Sequence, residues 1–87
     1  MTKTAKNDAT TAYKDRLRDV SALLDWVGEE VAMHDDYATK DGITWGHVGD
    51  MGHYRESLME ILISLLGNAS EKESRKMIED ALDDLKA

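Results

Sequence analysis

Large apolar side chains recur at alternating steps of four and three residues between Tyr13 and Val31, and this spacing most constrains the fold. Such steps place side chains on one face of an α-helix, because 3.6 residues make one turn. His34 occupies the next step. We therefore predict a first helix from about Thr11 to Asp35. Its apolar face, which we call the seam, consists of Tyr13, Leu17, Val20, Leu24, Val27 and Val31.

A second series with the same spacing predicts helix 2, in which Arg55 occupies the one position of the apolar face that is not apolar. Helix 2 is expected to end at Gly67, because glycine readily adopts the left-handed conformation that closes helices. Ser70 and Glu73 have the spacing of a capping box, so a third, shorter helix is predicted to follow. The apolar members of the helix 2 series are Val48, Met51, Leu58, Leu62 and Leu65.

The fold class predicted from these patterns is all-α. The chain contains no proline and no alternating pattern typical of strands. Two long helices joined by about eight residues are expected to form an antiparallel helical hairpin. The shorter third helix is expected to pack against this hairpin and complete a three-helix bundle. We predict a disordered N-terminal tail over residues 1–10, which are polar and lack periodicity, and a single helical-bundle domain over residues 11–87.

The charge balance excludes several classes of partner. Eighteen acidic and eleven basic residues give a net charge of −7, which is the wrong sign for binding to a phosphate backbone. No apolar run is long enough to span a bilayer. The chain also lacks cysteine, which fits a reducing compartment. We expect a soluble cytoplasmic protein that binds neither nucleic acid nor membrane directly.

The segment TWGHVGDMGHYRE, residues 44–56, contains three glycines at three-residue spacing. Their spacing matches neither a phosphate-binding loop nor a dinucleotide-binding motif, and the surrounding residues do not fit a calcium-binding EF-hand. Two helix starts remain open. If Thr44 is the N-cap of helix 2, then Gly46, Gly49 and Gly52 are all helical; if Asp50 is the N-cap, Gly46 and Gly49 belong to the loop.

Residues with chemically useful side chains gather at the predicted junction of helices 1 and 2. Matching the two apolar series in an antiparallel hairpin brings His34 near His47, with Glu30 one turn before His34. Two imidazoles and a carboxylate can hold a divalent metal or transfer protons, or they can close the bundle end by hydrogen bonding. No cofactor or catalytic motif includes them. We therefore predict no cofactor and favour a non-catalytic protein. The alternative is a small-ligand, metal-binding or enzymatic site around Glu30, His34, Trp45, His47 and Asp50.

The same register places Arg55 on the apolar face opposite helix 1. A charged side chain in such a position must pair or stack, and Trp26, Glu29 and Glu30 are the partners within reach. Of these we favour a structural ion pair between Arg55 and Glu30.

Further apolar residues beside the seam widen the apolar face of helix 1. We call this set, which consists of Leu23, Trp26 and Met33, the stripe. Tryptophan and methionine together suit a protein interface, although helix 3 could also cover them within a monomer. We predict a small acidic helical protein that acts through protein–protein contact, as an adaptor or regulator, and that forms a homodimer through helix 1.

Overall fold

The computed structural model describes the backbone of residues 2–68 and 70–86, and the side chains of residues 8–68 and 70–86. The helices are α1 (Thr2–Asp41), α2 (Trp45–Leu66) and α3 (Glu71–Asp84). Within these ranges there is no strand, so the predicted all-α class is confirmed. The chain forms two compact units, Met1–Gly42 and Ile43–Ala87. The first unit contains α1, and the second contains α2 and α3. The antiparallel pairing of helices 1 and 2 and the three-helix bundle stay predictions.

The first helix is longer than predicted at both ends. It has 40 residues and includes residues 2–10, which the sequence pattern had assigned to a disordered tail. The difference has a physical reason: this segment contains neither glycine nor proline, and extending an existing helix requires much less free energy than starting one. Met1 lies outside the described residues. At the other end Gly42, with φ of 92°, takes a left-handed conformation that ends the helix.

The second helix begins at the earlier of the two predicted starts. Thr44 is its N-cap, with extended φ and ψ of −116° and 169°. The alternative start at Asp50 is wrong, and all three glycines of the segment lie in the helix. Each costs the helix up to about 1 kcal/mol relative to alanine. Residues 45–52 are therefore the least favourable part of α2 in intrinsic helix propensity.

A tight connection turns the chain from α2 into α3. Gly67 caps α2 in the left-handed conformation, with φ of 63°, and its N–H donates to the carbonyl of Ile63. The side chain of Ser70, the N-cap of α3, accepts a hydrogen bond from the backbone N–H of Glu73 at 3.1 Å, which confirms this half of the predicted capping box. The two helices pack against each other. Their buried residues are Met59 on α2 and Ser74 and Ile78 on α3.

The glycines at positions 49 and 67 give opposite predictions for the same substitution. Gly49 is helical, and among the described residues no atom outside its own turn lies within 4 Å of an added Cβ. Gly49→Ala should therefore raise the free energy of unfolding, by up to about 1 kcal/mol. Gly67→Ala should lower it by roughly 1 kcal/mol or more, because its left-handed conformation disfavours a Cβ. Denaturant titration of both variants checks this, and a shift of the same sign in both would contradict it.

Candidate interaction surface

The seam of α1 lies at the surface. Leu17, Val20 and Leu24 expose 51%, 52% and 54% of their surface, and Val27 and Val31 expose 42% and 36%. A row of large apolar side chains at helical spacing is normally the face that a helix buries. In this structure the row remains accessible along α1.

The stripe is exposed to a similar extent. Leu23, Trp26 and Met33 expose 56%, 60% and 47% of their surface. The indole Nε1 of Trp26 donates a hydrogen bond to Glu30 Oε2 at 3.2 Å, one turn further along α1. This bond satisfies the polar atom of the indole and leaves much of the residue's surface accessible. Such a combination suits an aromatic residue that anchors an interface.

Together the seam and the stripe give α1 an extended apolar surface. Soluble monomers seldom expose contiguous apolar patches of more than a few hundred Å², and larger patches mark interaction sites. Tyr13 and Tyr37, which are 68% and 65% exposed, add aromatic surface toward the two ends of this region. The apolar surface of α1 is therefore the strongest candidate for a functional surface.

His47 has a structural role that its sequence context did not suggest to us. The backbone N–H of Thr44 donates to Nδ1 of His47 at 3.0 Å, and the backbone N–H of His47 donates to Thr44 Oγ1 at 3.4 Å. These reciprocal bonds form a capping box with histidine in the place usually taken by glutamate or glutamine. The three-residue interval between Thr44 and His47 was the available signal. The imidazole thus contributes to the start of α2.

The proposed loop-end ligands are distributed over both units. Glu30 and His34 lie on α1, and His47 and Asp50 lie in the first turns of α2. Among the residues whose placement the structure describes, no group of three or more histidine, cysteine, aspartate or glutamate residues could hold a metal ion. Trp45, the first residue of α2, is 86% exposed. The small-ligand, metal-binding or enzymatic alternative at these residues stays a prediction.

Arg55 is paired, but with a residue that the sequence pattern did not indicate. Its guanidinium donates to Glu79 Oε1 of α3 at 2.8 Å. The neighbouring Glu56 accepts two hydrogen bonds from Arg75, at 2.7 and 3.3 Å, in a bidentate arrangement. These two pairs cross the contact between α2 and α3 with opposite polarity. The predicted pair of Arg55 with Glu30 stays a prediction.

Comparison with known proteins identifies no relative. No family model, no curated protein and no solved structure matches this chain. In addition, none of the helices within the described ranges combines the length and the apolar composition needed to cross a bilayer.

The bidentate pair of Arg75 and Glu56 makes a prediction about titration. The hydrogen bond from Arg75, together with the positive charges of Arg75 and Arg55, lowers the pKa of Glu56 below its ordinary value of 4.5. A carboxyl whose pKa is lower in the folded state stabilises the fold above its unfolded pKa, and this contribution is lost as the pH falls through the folded value. Arg75→Met should raise the pKa of Glu56 toward 4.5, as followed by NMR titration.

The adjacent Lys76 provides the control for this experiment. Its ammonium pairs with Asp80 within α3 at 3.0 Å, so Lys76→Met should leave the pKa of Glu56 unchanged. A Glu56 pKa that is equal in the native protein and in Arg75→Met would contradict the assignment.

Proposed function

We propose that this protein acts through protein–protein contact, as a non-catalytic adaptor or regulator, and that it associates with a second copy of itself through the apolar surface of α1. The carrying observation is the exposure of the seam and of the stripe on one helix. The proposal includes a cytoplasmic location, with which the absence of cysteine is compatible. It includes no direct contact with nucleic acid, because the net charge of −7 repels a phosphate backbone.

The composition of this surface favours binding over chemistry. Its members are aliphatic, aromatic and thioether side chains, and apart from the phenol of Tyr13 they supply apolar area without an acid, base or nucleophile. Full burial of one such side chain contributes about 1.5–3 kcal/mol, so covering the exposed half of each contributes roughly 1 kcal/mol. Summed over the six seam residues of two protomers, this is roughly 12 kcal/mol, which lies within the estimated cost of association, about 4–15 kcal/mol.

Trp26 is expected to be the central anchor of the interface. It is the largest side chain of the stripe, and its indole hydrogen bond to Glu30 holds its orientation before a partner binds. A pre-oriented aromatic side chain loses little conformational entropy on association. In contrast, Trp45 is a still more exposed tryptophan that lies at the start of α2, outside the proposed surface.

This contrast allows a matched test. Sedimentation velocity across a dilution series should show a dimer at micromolar concentration. Trp26→Ala should raise its dissociation constant by about thirtyfold, which corresponds to the roughly 2 kcal/mol of an interface hot spot. Trp45→Ala removes the same side chain elsewhere and should leave the dissociation constant unchanged. A mass near 9.8 kDa at every concentration would refute self-association.

A further inference from the structure

We propose that two copies of α1 pair in antiparallel orientation along the seam, about a twofold axis between Asp25 and Trp26. This inference rests on the proposed self-association through α1 and adds the orientation and the register of the two helices. It makes the seam the paired face in place of the stripe, because Trp26 and Met33 lie more than a quarter turn around the helix from the seam. A dimer that Trp26→Ala weakens thirtyfold would therefore overturn this pairing and leave self-association in place. In this register the core pairs are Leu24 with Val27, Val20 with Val31, and Leu17 with His34, each joining one copy to the other and each occurring twice.

The spacing of the seam supports this register. The steps from Leu17 to His34 are three, four, three, four and three residues, so the order is the same in both directions. Two antiparallel copies therefore place Val20, Leu24, Val27 and Val31 of the seam opposite seam residues, and Leu17 opposite His34. Tyr13, the first seam residue, lies beyond this set. The five apolar residues of this set are exposed, and His34 is half-buried. The seam is thus complementary to its own reverse.

A row of flanking residues is also complementary to its reverse. Lys14, Ser21, Gly28 and Asp35 follow one another at seven-residue intervals beside the seam, and all four are exposed. In an antiparallel pair, residues beside the seam meet flanking residues of the second copy that are offset by two positions from the point directly across. Lys14 therefore lies beside Asp35 of the second copy, and Ser21 lies beside Gly28 of the second copy. Opposite charges thus meet at both ends of the row, while the smallest side chains meet at its centre, where the two backbones come closest.

Antiparallel pairing accounts for the glycine at position 28. No contact among the described residues of the first unit does so. Glycine within a helix is less favourable than alanine. Within the described part of the chain, no atom beyond its own turn and its chain neighbours lies within 4 Å of a Cβ built at Gly28. Packing inside one chain therefore does not require glycine at this position. The close approach of a second helix does require a small residue there.

The charge distribution of α1 selects the antiparallel orientation over the parallel one. Residues 29–36 contain four acidic and no basic residues, whereas residues 14–18 contain three basic residues and one acidic residue. Parallel pairing would place the two acidic segments side by side and repel them. Antiparallel pairing places residues 14–18 of one copy against residues 33–37 of the other. Asp35, which accepts a hydrogen bond from Thr39 at 3.3 Å, is the acidic residue opposite Lys14.

The absence of native cysteine makes this orientation directly testable. Lys14→Cys and Asp35→Cys chains are prepared separately, mixed at equal concentration above the dissociation constant, and treated with a short bis-maleimide that joins two thiols. Mass spectrometry then identifies which positions are joined. The antiparallel dimer should give mainly the mixed product that joins position 14 to position 35. The two products that join like positions should be minor.

A charge-reversal series tests the same pair without cross-linking. Lys14→Glu alone and Asp35→Lys alone should each raise the dissociation constant of the dimer by roughly fivefold, because each dimer contains two such exposed pairs. The double variant Lys14→Glu/Asp35→Lys should return it close to the native value. Lys72→Glu on α3, an identical charge change outside α1, should leave it unchanged.

The possible outcomes separate this inference from the proposed function. A dominant mixed product, with recovery in the double reversal, supports antiparallel pairing. Products that join like positions, or a dimer that yields no product at either position, would overturn the antiparallel register while leaving self-association in place. A monomer by sedimentation at all concentrations would overturn both.

Discussion

A single α-helix cannot cover the apolar face that its own sequence creates, because its side chains project outward from the axis. This constraint governs the protein, because the first of its two units consists of one helix, α1, and the turn that ends it. Ala38 is buried in this unit, but the seam and the stripe are not. A helix of this composition gains most of its stability from packing against another surface.

The second unit meets this constraint only in part, because Val48, Leu58, Leu62 and Leu65 of α2 stay 41–77% exposed. The left-handed Gly67 and the Ser70 cap return the chain so that α3 packs on α2, which buries Met59 and Ile78. Two ion pairs of opposite polarity cross this contact. Because the paired side chains are 35–52% exposed, they add little to stability and more to the choice of register, since a shift along either helix would separate both pairs. The two units thus differ in whether a tight turn supplies the partner helix.

The sequence was sufficient for the features that depend on nearby residues. The three helices follow from apolar spacing, and Gly67 and Ser70 mark helix ends through local hydrogen bonds and backbone conformation. The sequence left Thr44 and Asp50 as alternative starts of α2, and the structure decides for Thr44. Features that depend on distant residues were harder to predict. The partner of Arg55 is Glu79, which only the register of α3 against α2 could reveal. The length of α1 was underestimated because residues 2–10 lack apolar residues at helical spacing, which was the pattern used to predict helices. Their helical conformation does not depend on that pattern.

His47 illustrates why candidate sites are difficult to assign from residue type. An imidazole can bind a metal, transfer a proton or cap a helix, and the sequence alone does not decide among these roles. The hydrogen bond from the Thr44 N–H to Nδ1 commits this ring nitrogen to capping. The apolar surface of α1 was easier to identify, because helical spacing and exposure are sufficient to recognise it. Its occupant is a separate question, which depends on a second surface.

The capping box of α2 also has a consequence for local motion. Gly46, Gly49 and Gly52 all fall in the first eight residues of a 22-residue helix, whereas its buried residue, Met59, lies in the second half. The free energy of local unfolding is lowest where helix propensity is poor and buried contacts are few. The start of α2 can therefore fray while the contact between α2 and α3 stays intact. The hydrogen bonds between Thr44 and His47 oppose this partial opening.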